Sequence, residues 1–287
     1  MLFVRRSIDV TFIGKETVKL TDHRVTVRIA TNGDPNIGSA QLQIYGLTTD
    51  RINQLATFAQ AFMTPDYNYK IQVDAGDEVN GMNMVFFGNI TQAWADFQGM
   101  PDIPFHVLAY ATPTVQASPS GQNWNSYSGP TDVAKMLQPL AGMMGLSLEN
   151  SGVNVKLTNP YHFGSPFRQA QLIREAADIN MVFENKIMAI WPRNKPRDGQ
   201  GPLISEQTGM VADPSFTDYG VIVRQEFSTP VKYGVNMTIK SQIEKANGPW
   251  SIKQIDYNLA ANMPNGPWFV TLSGSKPDQL IQQPLQL

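Results

Sequence analysis

The 287-residue chain has no cysteine, which excludes disulfides and thiolate metal sites and leaves its redox compartment unmarked. Charge is also scarce. Charged residues make up 16% of the chain, against about 25% in an average soluble domain. A formal net charge of −2 gives no global attraction to nucleic acid or to an acidic membrane, and no basic run exceeds Arg5-Arg6. No apolar run approaches the ~18 residues of a spanning helix. The opening MLFVRRSIDV lacks the layout of a secretory signal. Together these absences lead us to expect a soluble protein made in the cytoplasm.

Signals of chemistry are equally sparse. The three histidines, His23, His106 and His162, stand far apart, without the convergent spacing of a metal site. DAGDEVNG, at 74–81, has the wrong acid spacing for a calcium loop and reads as a hairpin turn between strands. No G-x-S-x-G elbow or phosphate-binding G-x-x-x-x-G-K-[ST] is present, and GQG at 199–201 lacks the third glycine of a dinucleotide loop. A glycosidase needs only two carboxylates close in space, and Glu175, Asp178 and Glu184 are the acids considered for it. They read better as residues of a helix face and a turn. Trp94, Trp124, Trp191, Trp250 and Trp268 have the chemistry to stack on sugars or bases, but core packing and protein interfaces use the same residues. The expectation is a non-enzyme with no catalytic, cofactor-binding or metal residue and no cofactor.

What is present is alternation. Ile8, Val10 and Phe12, then Val25, Val27 and Ile29, then Ala40, Leu42 and Ile44 each recur at period two, the pattern of half-buried strands. In QLQIYGLTTDRINQLA, residues 41–56, the period changes after Gly46. Ile52, Leu55, Ala56, Ala59 and Phe62 take helical spacing, with Thr48 or Thr49 as cap and Asp50 at the positive end of the dipole. Tyr67, Tyr69, Ile71 and Val73, then Met82, Met84 and Phe86, then Ile103, Phe105, Val107 and Ala109 continue the strands. Six strands with one helix predict a small barrel or sandwich.

Residues 111–130, rich in Ser, Pro, Gly and Asn, read as a linker or long loop. TDVAKMLQPLAGMMGL then places Val133, Met136, Leu137, Leu140 and Met144 on one helical face, with Pro139 expected to kink or end it. SPFRQAQLIREAADIN opens with Ser165 as cap and Pro166 at the first helical position. It turns Ala170, Ile173 and Ala177 inward, joined by Leu172 and Ala176. MVFENKIMAIW is a hairpin around Glu184-Asn185-Lys186. WPRNKPRDGQGP, at 191–202, forms a second break. Strand-like runs return around Val221 and Val223, Val235 to Ile239, Ile252 and Ile255, and Phe269 and Thr271. The polar end GSKPDQLIQQPLQL predicts a flexible tail or an arm that orders on a partner.

Three stretches carry a resemblance to the baseplate hub proteins of contractile-tailed bacteriophages, a tail-tube-like family related to the base of the type VI secretion spike. SAQLQIYGLTTDRINQLA resembles the strand–"I-x-N/G-L-(S/T)"–helix step of tube-type domains, followed by the strand pair at Tyr69–Val73 and MVFFGNI. TDVAKMLQPLAGMMGLSLEN with SPFRQAQLIREAADINMVFENKIMAIWP resembles the family's middle domain. LISEQTGMVADPSFTDYGVIVRQEFSTPVKYGVNMTIKS with NGPWSIKQIDYNLA resembles its last domain, including the S-x-x-T-G-(L/M)-x-x-x-P run. The chain is short for such a hub, with no room for an inserted lysozyme.

The resemblance implies a mainly β protein with an α+β middle: two tail-tube-like β-barrel domains, 1–112 and 201–287, flanking a linker and small α+β domain at 113–200. It implies a structural virion protein of the tail baseplate, assembled in the host cytoplasm, whose homotrimer forms a pseudo-sixfold ring. The partners it implies are the tail tube or a tube-initiator protein, the central spike, the tape measure protein and the baseplate wedge proteins. Genomic DNA would pass through the channel without sequence-specific binding, past polar alternates such as Gln41 and Gln43. The rival expectation is a carbohydrate-binding or cell-wall-active β-rich tail protein.

Overall fold

In the computed structural model, which describes residues 4–33, 37–56, 69–111 and 124–276, the alternating segments become strands with one dry face. Seven fall in the first part: β1 (Arg6–Ile13), β2 (Thr17–Leu20), β3 (Arg24–Asn32), β4 (Ser39–Tyr45), β5 (Lys70–Asp77), β6 (Gly81–Ala95) and β7 (Phe105–Tyr110). β2 lies in a stretch whose polar residues concealed it, yet Val18 and Leu20 are both buried. Helix α1 (Thr49–Ala56) follows β4. Thr48 is its cap, its hydroxyl accepting from the Arg51 amide at 3.3 Å, while Ile52 and Leu55 enter the core. The expected continuation through Ala59 and Phe62, and Tyr67 of the next strand, lie outside the described residues. Replacing Leu55, fully buried, by Asp sets an unpaired carboxylate in that core. We expect a loss of several kcal/mol, read as a lowered denaturation midpoint with the m-value unchanged.

β6 departs from simple alternation. Val73 pairs with Phe86 but Asp74 with Met84, leaving Val85 as an extra residue. The bulge reverses the phase, so Val85 and Phe86 are both buried while Met82 is exposed and Met84 only half-buried. A second bulge, between Ile90 and Gln92, leaves Thr91 to hydrogen-bond the Leu108 carbonyl. Such insertions bend a strand and increase its local twist. The hairpin before β6 is fixed by Asp77, whose Oδ1 accepts from the Val79 and Asn80 amides at 2.9 and 2.7 Å.

The middle of the chain builds short ribbons and a three-stranded sheet around two helices. Its strands are β8 (Trp124–Ser126), β9 (Pro130–Asp132), β10 (Ser147–Asn150), β11 (Lys156–Thr158), β12 (Tyr161–Phe163), β13 (Ile179–Glu184) and β14 (Ile187–Pro192). The 111–130 stretch, expected as a linker or long loop, thus contributes β8 and the start of β9. Asp132 caps α2 (Val133–Met143), which runs on through Pro139. The helix does not stop there, and Pro139 lies on its exposed side. Ser165 and Pro166 start α3 (Pro166–Ala177) as expected. Ala170, Ile173 and Ala177 are buried, but Ala176 is exposed and Leu172 only half-buried. The hairpin turns at Asn185 and Lys186, both with positive φ, the geometry that matches strand twist. This unit has its own core, centred on Met136, Leu137, Ile173, Met188 and Ile190.

The last part adds β15 (Leu203–Ser205), β16 (Ser215–Thr217), β17 (Gly220–Glu226), β18 (Asn236–Lys240), β19 (Gly248–Ala261) and β20 (Trp268–Ser275). In β20 the buried alternates are Trp268, Val270 and Leu272, so Phe269 and Thr271 belong to the opposite face. First and last parts join into one 13-stranded sheet, ordered β16-β17-β20-β19-β3-β4-β7-β6-β5-β1-β2, with β18 on β19 and β15 on β18. The junction is β3 on β19, antiparallel from Gln254↔Asn32 to Ala261↔Val25. A bulge at Lys253 bends β19 as well. Both ends contribute to one hydrophobic core, from Ile8, Phe12 and Leu42 to Val223, Ile255 and Leu272. Among the described residues the chain is mainly β, and its strands form a joined sheet with no closed barrel.

Candidate interaction surface

Period-two alternation has a second product: every strand that buries one set of side chains presents the other set together. From β6 to β17 the register aligns Gln92, Leu108, Gln41, Arg28, Asn258, Phe269 and Glu226 in one cross-strand row. A neighbouring row aligns Trp94, His106, Gln43 and Thr26. A third aligns Ala30, Asp256, Thr271 and Arg224. The polar face therefore passes across the β3–β19 junction without interruption. α1 buries Ile52 and Leu55 in the core on the other side, so it leaves this face open.

The face is polar more than charged, and its charges are partly engaged. Arg224 lies 4.1 Å from the Phe269 ring centroid, and Arg24 4.0 Å from that of Tyr45. Burial raises the Asp256 carboxyl above its ordinary range, although Gln254 donates to it at 2.8 Å and pulls the other way. Toward the β6 side the face hollows into a cleft of about 570 Å³ lined by Thr26, Arg28, Gln41, Gln43, Trp94, His106 and Asn258, among others. There the Trp94 indole stacks on the His106 imidazole, 5.0 Å between centroids and 9° from parallel.

The residues weighed for chemistry are dispersed. His23 Nδ1 lies 3.2 Å from the Tyr45 carbonyl oxygen. His162 is buried, and burial lowers its pKa. Glu175 pairs with Arg174 at 3.2 Å, Asp178 with Arg193 at 2.6 Å, and Glu184 with Arg197; each acid is committed to a different arginine. Trp191, Trp250 and Trp268 are core residues, whereas Trp94 and Trp124 are exposed. Among the described residues no cluster of three or more His, Asp or Glu is placed to hold a metal ion.

One constellation had no sequence signal. Arg197 sits in the Pro/Gly-rich 191–202 break, yet its side chain is fully buried. Its Nε donates to Glu149 Oε1 at 2.7 Å, and its Nη1 donates to Glu184 and to the Tyr233 carbonyl. Lys232 adds a second contact to Glu149 at 3.1 Å. Glu149 is held below the usual carboxylate range, chiefly by the Arg197 hydrogen bond, against the opposing effect of burial. Tyr233, whose phenol is pushed up to about 12 mainly by burial, packs on Trp191 at 6.0 Å. The hairpin tip of the middle unit also reaches the first strands, with Lys186 Nζ donating to Gln72 Oε1 at 3.1 Å. These contacts clamp the middle unit to β5 and to the segment between β17 and β18.

The same fold occurs in solved tail proteins and in a type VI secretion component. A prophage MuSo2 43 kDa tail protein from Shewanella oneidensis superposes with a TM-score of 0.60 at 9% identity, covering 94% of this chain and 99% of that one. A tail protein from Neisseria meningitidis gives 0.61 at 8% identity, covering 95% and 97%. The E. coli c3393 protein, a component of the type VI secretion system, gives 0.54 at 7% identity, covering 92% and 76%. At these identities the likeness is one of fold. No curated protein matches the sequence. The family described as Baseplate hub gp41 matches residues 7–274, and the chain belongs to that family. It is a structural protein of the phage tail baseplate.

Proposed function

We propose that three copies of this chain form a closed ring at the centre of the baseplate. Each copy supplies two tube-like lobes, one from 1–112 and one from 201–287, held together by the 113–200 unit. Three copies then give six similar lobes, matched to a sixfold tail tube on one side and a threefold spike on the other. The observation that carries this reading is the polar sheet face running unbroken from β6 to β17. Turned inward, it lines a hydrated channel. With one unpaired arginine in its cleft and no basic stripe among the described residues, it offers a passing duplex few phosphate contacts.

The edge strands β2 and β16 carry unpaired backbone groups that neighbouring copies satisfy in such a ring. The partners on this reading are the tail tube or tube-initiator protein, the spike, the tape measure protein and the wedge proteins, with assembly in the host cytoplasm. Light scattering on the purified protein, alone and with spike, is expected to give a trimer mass. Negative-stain images should show a ring with a central hole. A monomer indifferent to both tube and spike overturns the proposal. The exposed aromatics Trp124, Tyr161 and Phe163, gathered on the β8–β12 ribbon, favour the carbohydrate-binding alternative, and a glycan array tests it directly.

A further inference from the structure

The cleft on the polar face has a chemistry that a smooth conduit wall does not require. We infer that it binds a short single-stranded nucleic-acid segment, with a base on Trp94 and a phosphate on Arg28. Trp94 is 46% exposed, and one side of its ring is backed by His106, so an aromatic shelf stands ready without further ordering. Bases stack on such shelves whatever their identity.

Arg28 is exposed, and among the described residues it makes no ion pair and no carboxylate lines the cleft. In a chain of net charge −2, that leaves a local site selective for an anion, and a guanidinium fits phosphate oxygens in a forked geometry. The amide of Gln43 is pre-set. Its Oε1 lies 3.4 Å from the Thr26 hydroxyl and 3.1 Å from that of Tyr45, accepting from both, so its NH₂ group remains to donate. Gln41 and Asn258 add further amides. Side-chain amides both donate to and accept from base edges.

The span sets the ligand's size. β6 and β3 are separated by β7 and β4, and Arg28 lies two residues along the strand from the Trp94 row, which puts the two backbones about 16 Å apart at roughly 4.8 Å per strand spacing and 3.4 Å per residue. Both side chains line the cleft between. The site thus suits several nucleotides of unpaired strand and not a lone nucleoside. A duplex hides its base faces and is excluded from the shelf. Within the proposed channel this is a clasp for a frayed genome end, one per copy, and not a track along which DNA binds. The binding site itself does not rest on the ring, because all its residues come from one chain.

The test is fluorescence anisotropy of a labelled, 5′-phosphorylated octathymidylate titrated with the full-length protein. Saturable binding in the micromolar range is expected at low salt, with log K falling against log salt at a slope of about −0.7, the value for one phosphate. Trp94→Leu and Arg28→Gln should each weaken binding at least tenfold, and Arg28→Gln should also flatten the salt slope. Both side chains are exposed, so both variants should melt like the parent. Gln43→Glu, which sets a carboxylate beside the phosphate, should weaken binding without touching the shelf. No saturable binding at any salt, or an affinity equal to the parent's in all three variants, overturns the inference. So does duplex binding as tight as single strand, or displacement of the probe by an acidic peptide or an oligosaccharide. A monomeric protein that passes this test sinks only the ring, and a trimeric ring that fails it sinks only the clasp.

Discussion

Arg197→Met is expected to lower stability by about 3–5 kcal/mol, the usual result of removing one partner from a buried ion pair. Glu184 is 12% exposed and Glu149 28% exposed at the side chain, so neither carboxylate recovers full hydration when the guanidinium is gone. The Tyr233 carbonyl loses its donor in the same substitution. At about 2–4 °C per kcal/mol for a chain of this size, the midpoint of thermal unfolding should fall by roughly 10 °C. Hydrogen exchange should speed up at the Tyr233 amide, which lies against Glu184. Adding Glu184→Leu to the variant should recover part of the loss, since a packed apolar contact costs less than a stranded charge. An unchanged midpoint removes the clamp from our account.

The same clamp gives a pH dependence of known sign. Glu149 has a depressed folded pKa, so its contribution is fully present above the ordinary glutamate value of about 4.3. It is lost as pH falls through the folded value. Acid should therefore loosen the middle unit from the sheet, and Glu149→Gln should flatten that part of the stability profile.

Gly220→Ala is the second large effect. Gly220 has φ +147°, and a Cβ there stands 2.0 Å from the Gly274 carbonyl oxygen. Backbone strain of about 1–3 kcal/mol adds to a collision that neither β17 nor β20 relieves by rotating a side chain. The pair Thr217↔Gly220 at the β16 hairpin and Val221↔Gly274 beside it should separate. The expected outcome is loss of amide protection over β16 and β17, with the middle unit unaffected. Retained protection there excludes the close approach.

The sequence was most readable where one physical rule acted alone. Alternation located β1, β3, β4 and β7 because each has one wet and one dry face, and the Ser165-Pro166 pair marked α3 because an N-cap depends on local geometry. Readability failed where two rules competed. The Val85 bulge resets the phase of β6, so Met82 and Met84 looked inward from spacing alone. Pro139 sits on the exposed side of α2 while Met136, Leu137 and Leu140 stay packed in the core, and tertiary contact overrides the local cost. Arg197 lay hidden because a break rich in Pro and Gly gives no sign that one of its cations is buried against acids far away in sequence. Among the tryptophans, only the register with β7 separates the exposed Trp94 from the buried Trp191, Trp250 and Trp268. The polar face was foreseen at Gln41 and Gln43, but its continuation onto Asn258 required the pairing of β3 with β19.

That pairing also dictates when the molecule can finish folding. The outer edge of β3 waits for Gln254–Ala261, which is made only after the whole middle unit, and until then the first lobe holds an unpaired strand beside an uncovered apolar core. Contacts so remote along the chain are slow to form, and exposed edges of this kind invite pairing between nascent copies. A truncated product ending in the middle unit should therefore collect as aggregate, whereas a chain that includes β19 covers the β3 edge.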